Sequence, residues 1–237
     1  MLVQQLKEHS RLSAEDISVI EKMRYTLRKM EANEDLIRQG DNPSASAVVL
    51  SGLVARYHLL DNGARQYLSF HMTGDMPDSQ SLFIERMDHA ACAIGPASVA
   101  MVPHKELLAA FKARSSIGFA IWRETLIDAA IFRQAITNNS ARSMTERMAH
   151  FFCELFYRAR ASGLVNKDLF ELPISRVQLG ETLGMAIATV NRTLEEIHAS
   201  HAATFNRSQL HVKNWKRLVD LARFDPAYLH QKRPPLL

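Results

Sequence analysis

The chain of 237 residues has two cysteines, Cys92 and Cys153. They lie far apart, in neither a CxxC pair nor a disulfide framework, so both read as reduced structural thiols. Long apolar runs are missing too. No stretch of eighteen apolar residues exists to cross a bilayer, which argues against membrane embedding. The N-terminus carries Gln4, Gln5, Lys7 and Glu8 where a signal peptide would have its apolar segment, and we expect a cytoplasmic protein. Clustered metal ligands are equally scarce. Metal catalysis in a β-roll wants an H-x-H pair followed by a carboxylate, and His58, His71 and His89 have no such spacing. The expectation is a non-enzyme without a metal or cofactor.

What is present is ordinary globular composition, 47% hydrophobic and 23% charged, in a length that suits two domains. Charge is unevenly placed. Residues 1–139 hold 15 Lys and Arg against 16 Asp and Glu, a net −1, while residues 140–237 hold 14 against 9, a net +5. A neutral first part and a basic second part fit a nucleic-acid partner for the second, although a solvated basic surface has the same signature.

The stretch Arg176 to Leu194, RVQLGETLGMAIATVNRTL, has the pattern of a helix-turn-helix. Leu179 and Leu183 share one helical face, Gly184 and Met185 make the turn, and Val190 and Leu194 repeat the spacing on a second helix. Gly180 permits a close, steep crossing. Ser175 and Gln178 form a capping box for the first helix after Pro173. Ala186 at the second N-cap cannot accept an amide hydrogen bond. An ordinary helical hairpin with a Leu/Val core satisfies the same local pattern.

Upstream, Ser13 and Asp16 cap a short helix to Met23. Short β-like runs then follow at Leu27–Glu31, Leu36–Arg38, Ala47–Ser51, Leu53–Leu60, Gln66–Met72, Ala90–Ile94 and Ser98–Pro103. Their turn signals recur every eight to twelve residues, which predicts an antiparallel barrel or roll. Asn62-Gly63 is the clearest hairpin turn, since both residues tolerate positive φ. A short helix over Lys105–Arg114 precedes a long one from Ile117 to Asn138. In the long helix Phe119, Trp122, Leu126, Ala129 and Ile136 recur at steps of three and four, with Arg133 interrupting. Such a seam suits a dimer interface, and a helix lying on the roll is the alternative. Ser143 and Glu146 cap a further helix to Ser162, whose Met148, Phe151, Phe152, Leu155 and Phe156 form a core stripe. Ala203–Phe205 and Gln209–Val212 flank Asn206-Arg207-Ser208 as a two-stranded wing, Trp215, Leu218 and Leu221 close the core, and a loosely ordered tail is expected from Pro226. The domains are therefore expected at 1–114 (β-roll with flanking helices), 115–139 (dimerisation helix) and 140–237 (winged helix-turn-helix), an α+β fold with an antiparallel jelly-roll-like sensor.

Together Gly40-Asp41, Leu50-Ser51-Gly52, Asp61-Asn62-Gly63, Gly74-Asp75 and LGETLGMAIATVNRTL, in this order and spacing, resemble the CRP/FNR family of bacterial transcription regulators across nearly the whole chain. The resemblance implies a homodimer on a near-palindromic double-stranded DNA operator, with RNA polymerase and a small-molecule effector as further partners. It places Ile187, Ala188, Asn191 and Arg192 toward bases and Thr189 nearer the phosphates, with Arg176, Arg207 and Lys213 as further phosphate contacts. Ile187 and Ala188 depart from the polar residues common there, and the wing segment His198–Phe205 lacks the usual glycine. At the sensor end the places of the family's nucleotide-binding residues fall on Ser79, His89 and Ala90, with Arg86 near but out of register. A buried cyclic phosphate must be paired and fully hydrogen-bonded, and the Arg-Ser or Arg-Thr pair that does so in the family is missing; no cyclic AMP binding is expected. Two distant cysteines do not supply the four thiolates of an iron–sulfur cluster in one protomer. For haem, His71, His89 and Cys92 are the side chains able to act as axial ligands, with satisfied core residues the plainer reading of each. Ala186, Ile187 and the unusual wing also leave open a signal- or partner-binding dimer that has lost specific DNA binding.

Overall fold

The computed structural model describes residues 1–231, which form two compact units, the first ending at Ala129 and the second beginning at Ala130. The chain starts with α1 (Leu2–His9) and α2 (Ala14–Glu21). The N-terminal segment, read above only for its polarity, folds because Leu2 and Leu6 lie four apart and are both buried. Ser13 and Asp16 form the expected capping box on α2, at 2.9 and 3.2 Å.

Seven strands follow: β1 (Thr26–Met30), β2 (Asp35–Ile37), β3 (Ala45–Ser51), β4 (Val54–Leu59), β5 (Arg65–His71), β6 (Ala90–Ala93) and β7 (Ala97–Pro103). All pair antiparallel, in one sheet of order β1-β7-β3 and another of order β2-β6-β4-β5. Strand alternation sorts the core into two layers. Ala47, Val49, Val54, Ala91, Ala93 and Val99 pack in one cluster, while Val48, Ala100 and Val102, one residue out of phase, pack against the flanking helices. The β4–β5 turn departs from the expectation in detail. Positive φ falls on Gly63, while Asn62 supplies its side-chain oxygen to the Ala64 amide at 3.0 Å. A 3-10 turn, Ser79–Leu82, lies between β5 and β6. Then α3 (His104–Ala113) leads into α4 (Ser115–Ala141), a helix of 27 residues.

The second unit is built on α5 (Met144–Ala161), started by the Ser143/Glu146 capping box. Met148, Phe152, Leu155 and Phe156 are buried and Phe151 is half-buried. Then come β8 (Val165–Asn166), β9 (Leu169–Glu171), α6 (Arg176–Leu183), α7 (Ile187–Ala199), β10 (Ala203–Asn206), β11 (Gln209–Val212) and α8 (Trp215–Ala222). The wing is more than two-stranded, because β8 and β9 extend it into a sheet of order β10-β11-β9-β8. Phe156, Tyr157, Trp215 and Phe224 form an aromatic cluster with ring centroids 5.8–6.3 Å apart. The tail expectation is corrected at its start. Pro226–Leu229 forms a 3-10 turn in which Leu229 is buried and the Tyr228 hydroxyl donates to Glu154 at 2.7 Å. The apolar Leu229 and the Tyr228 partner supply the binding that composition did not reveal; residues 232–237 lie outside those described.

Candidate nucleic-acid interface

In α6 the Ser175 hydroxyl accepts from the Gln178 amide at 3.1 Å, and Gln178 returns a carboxamide oxygen to the Ser175 amide at 2.8 Å. The helix ends at Gly184, whose φ of 65° is the left-handed conformation a glycine adopts without cost. Gly180 is required for a different reason. A Cβ there would come 2.6 Å from the Met185 carbonyl oxygen, so the turn folds back onto the helix only where no side chain stands. Sequence reading missed Arg147, which donates to the Leu183 carbonyl at 2.9 Å and to the Asn138 and Asn139 carbonyls at 3.2 and 2.7 Å. One side chain thereby satisfies the ends of two helices.

Helix α7 starts at Ala186 with no side-chain cap, as its residue type dictates. Val190, Thr193, Leu194 and Ile197 face inward. On the other side Ile187, Ala188 and Arg192 are exposed, and Thr189 and Asn191 are half-buried. Arg176 and Asn191 are brought together. The guanidinium of Arg176 donates to Asn191 Oδ1 at 2.7 Å, so the first residue of α6 is tied to the outward face of α7. Arg192 lies 3.8 Å from Glu196, one turn on, and Glu196 also accepts from Thr145. An open groove of about 380 Å³ separates α6 from the start of α7. Val177 and Ile187 stand on it, 60% and 48% exposed, and Val177 is an apolar side chain that the sequence pattern did not single out.

At the wing tip Arg207 and Ser208 have φ of 46° and 60°, the geometry of a tight hairpin that glycine usually occupies. The turn therefore displays Arg207 at the wing tip, at the position where Asn or Asp is usual, with Ser208 where glycine is usual. Lys213 is also exposed.

In the first unit, Ser79, His89 and Ala90 are buried and Arg86 is exposed. Gln80 joins the 3-10 turn to the start of β6, its Nε2 lying 3.0 Å from His89 Nε2, while His89 Nδ1 is 2.8 Å from Asp88. The buried cation of this region is Arg56 on β4, which the sequence reading passed over as a strand residue. It donates to the Pro77 carbonyl at 2.6 Å and to Gln80 at 3.3 Å, and pairs with Asp128 of α4 at 2.9 Å. The three side chains considered for haem are engaged. His71 Nε2 is 2.9 Å from Ser69 Oγ, His89 is bonded as above, and Arg65 donates to Cys92 Sγ at 3.2 Å. Burial pushes the Cys92 thiol up to about 11.

Along α4, Phe119, Trp122, Leu126 and Ile136 are 62%, 58%, 52% and 67% exposed and Ala129 is half-buried. Ile127 and Ile131 turn inward. Among the described residues no helix is long and apolar enough to cross a membrane.

A family model described as a cyclic nucleotide-binding domain matches residues 27–114, and one described as a Crp-like helix-turn-helix domain matches residues 146–221. The transcriptional activator protein Anr of Pseudomonas protegens is 26% identical over 215 residues, 89% of this chain and 86% of that protein. Among solved structures, FixK2 from Bradyrhizobium japonicum superposes with a TM-score of 0.74 at 26% identity, covering 84% of this chain and 98% of that one. The c-di-GMP-responsive regulator CLP of Xanthomonas campestris shares the fold, with a TM-score of 0.65 at 17% identity over 84% of this chain and 99% of its own. With a roll, a long helix and a capped helix-turn-helix in the order these relatives share, the chain belongs to the CRP/FNR family of DNA-binding transcription regulators.

Proposed function

We propose that the protein acts as a homodimer that binds a near-palindromic operator through two copies of α7 and does not respond to cyclic AMP. The DNA reading is supported by one observation above others: the outward face of α7 and the adjoining end of α6 present Arg176, Ile187, Ala188, Asn191 and Arg192 together. Arg192 supplies a guanidinium that suits guanine, and Ile187 and Ala188 suit thymine methyl groups. Thr189, Arg207 and Lys213 serve phosphates. Two α7 helices then enter successive major grooves about 34 Å apart.

The dimer is supported by the exposed stripe Phe119, Trp122, Leu126 and Ile136, with Ala129 between, which a two-fold partner would cover isologously. Insensitivity to cyclic AMP is supported by Ala90 standing where a phosphate-binding hydroxyl would be, and by Arg56 already holding the Asp128 carboxylate. A cyclic phosphate entering there would lack a free cation. The effector region therefore comprises Ser79, His89 and Ala90, with Arg86 at its solvent edge. RNA polymerase is the further macromolecular partner this reading implies.

Sedimentation and titration calorimetry test the two finer statements. The expected results are a dimer at micromolar concentration and no heat on adding cyclic AMP. A monomer would overturn the first, and stoichiometric cyclic AMP binding the second.

A further inference from the structure

The sensor unit contains a continuous polar chain, Asp88–His89–Gln80–Arg56–Asp128, running from an exposed carboxylate to the long helix. Arg56 is its centre. Its side chain is 4% exposed and joins three elements: β4, which carries it, the segment at Pro77–Gln80, and α4 through Asp128. Among the described residues this buried guanidinium makes its contact ion pair with Asp128, the buried Asp78 adding a longer-range attraction, so removing Asp128 leaves a charge in the interior without its contact partner.

The orientation of Gln80 follows from Arg56. Its Oε1 accepts from the guanidinium, so its Nε2 is the end that faces His89, and an amide NH2 is a donor only. His89 Nε2 must then accept, which assigns the neutral tautomer with its proton on Nδ1, directed at Asp88. A second proton on His89 would set donor against donor at 3.0 Å. Relief by turning the Gln80 amide would present NH2 to Arg56, a second donor clash. His89 and Arg56 are thus linked through an amide that cannot satisfy both once the imidazole is charged.

We propose that Arg56 is a positioning residue that fastens α4 to the roll, and that protonation of His89 loosens this fastening. The charged and titratable groups around the pair are Asp88 beside His89, Arg56 and His58 on β4, Asp78 in the preceding segment and Asp128 on α4. Burial, with the Arg56 charge behind it, holds the His89 imidazole below its ordinary range, so it is neutral at pH 7 and the fastening is closed there. Burial pushes the Asp78 carboxyl up to about 7, which makes it the competing source of any pH response. The mechanism lies within the sensor unit and holds whether or not α4 dimerises or α7 binds DNA.

Amide hydrogen exchange of the full-length protein, corrected for the intrinsic pH dependence of exchange, tests it directly. Protection across residues 120–129 is expected to fall about 10-fold, one population step of a local opening, between pH 7.5 and pH 5.0. His89→Gln should abolish this dependence. Asp128→Ala should lose protection already at pH 7.5 and regain it on addition of formate, a carboxylate small enough to replace the lost one, but not of chloride. An unchanged pH response in His89→Gln would overturn the proposal in favour of Asp78 or another group. So would wild-type protection in Asp128→Ala, or a loss that formate leaves unrestored, which would mark a packing defect.

Discussion

Gly180 shows how a single residue carries the DNA-binding architecture. Its missing side chain lets the Met185 carbonyl approach, so Gly180→Ala forces the turn away from α6 and should cost about 1–3 kcal/mol in thermal or denaturant unfolding, the usual penalty of overpacking. Arg192 is proposed to act at the same scale on recognition. If it reads a guanine, Arg192→Ala should remove about 1–3 kcal/mol of discrimination at one base pair of each half-site, measured by competition with single substitutions. A uniform loss across all sequences would make it a phosphate contact instead.

His150 supplies a pH prediction. It is fully buried, contacts Asn138 at 2.9 Å and Gln134 at 3.2 Å, and burial, reinforced by Arg142, lowers its pKa to about 3. The folded state therefore binds this proton more weakly than the unfolded chain, whose histidine titrates near 6.5. The contribution is fully present above the unfolded value and is lost as pH falls through the window from about 6.5 to about 3. Near pH 4.5 the loss is about 3 kcal/mol, and His150→Asn should flatten this limb of the stability profile.

At the scale of elements, α4 carries the clearest prediction. In the proposed dimer Trp122→Glu places a charge on the seam of both subunits; a central aromatic is worth about 2 kcal/mol, and a two-fold interface counts it twice, so dimerisation should weaken on the order of 1000-fold. Unchanged sedimentation would remove the seam from the interface. This helix also shows what was legible before the structure. Its apolar period, the strand runs with their turn signals, and the Ser13, Ser143 and Ser175 caps are local patterns, and local patterns survive in one dimension. Contacts between distant residues do not. Arg56 reads as an ordinary strand residue until Asp128, 72 positions later, is brought to it. Arg147 likewise reads as a helix charge until the carbonyls of Asn138, Asn139 and Leu183 surround it. The short β8 and β9, not picked out from the sequence, exist through pairing with each other and with β11. Tyr228 was missed for the same reason as Arg56.

The whole molecule carries a roll whose buried arginine is paired internally, a long helix with an exposed apolar stripe, and a helix-turn-helix whose outward face is polar mainly at Arg176, Asn191 and Arg192. In the proposed complex the apolar Ile187 and Ala188 cannot hydrogen-bond to bases through their side chains, and apolar contact is expected to supply part of the readout. Such a head is expected to favour thymine-rich half-sites, through Ile187 and the exposed Val177, with a guanine opposite Arg192. Arg176, Arg207 and Lys213, the proposed phosphate contacts, should then supply affinity, each expected to steepen the salt dependence of binding by about 0.9 in log–log slope for every phosphate it neutralises. The alternative, a dimer whose helix-turn-helix no longer selects sequence, predicts the same fold and the same seam but no preferred site. Repeated selection of the full-length protein on randomised duplex DNA separates the two most directly. The account predicts convergence on a near-palindrome whose half-sites are centred about one helical turn, roughly 34 Å, apart; recovery of DNA with no shared sequence, bound with uniform affinity, would contradict it.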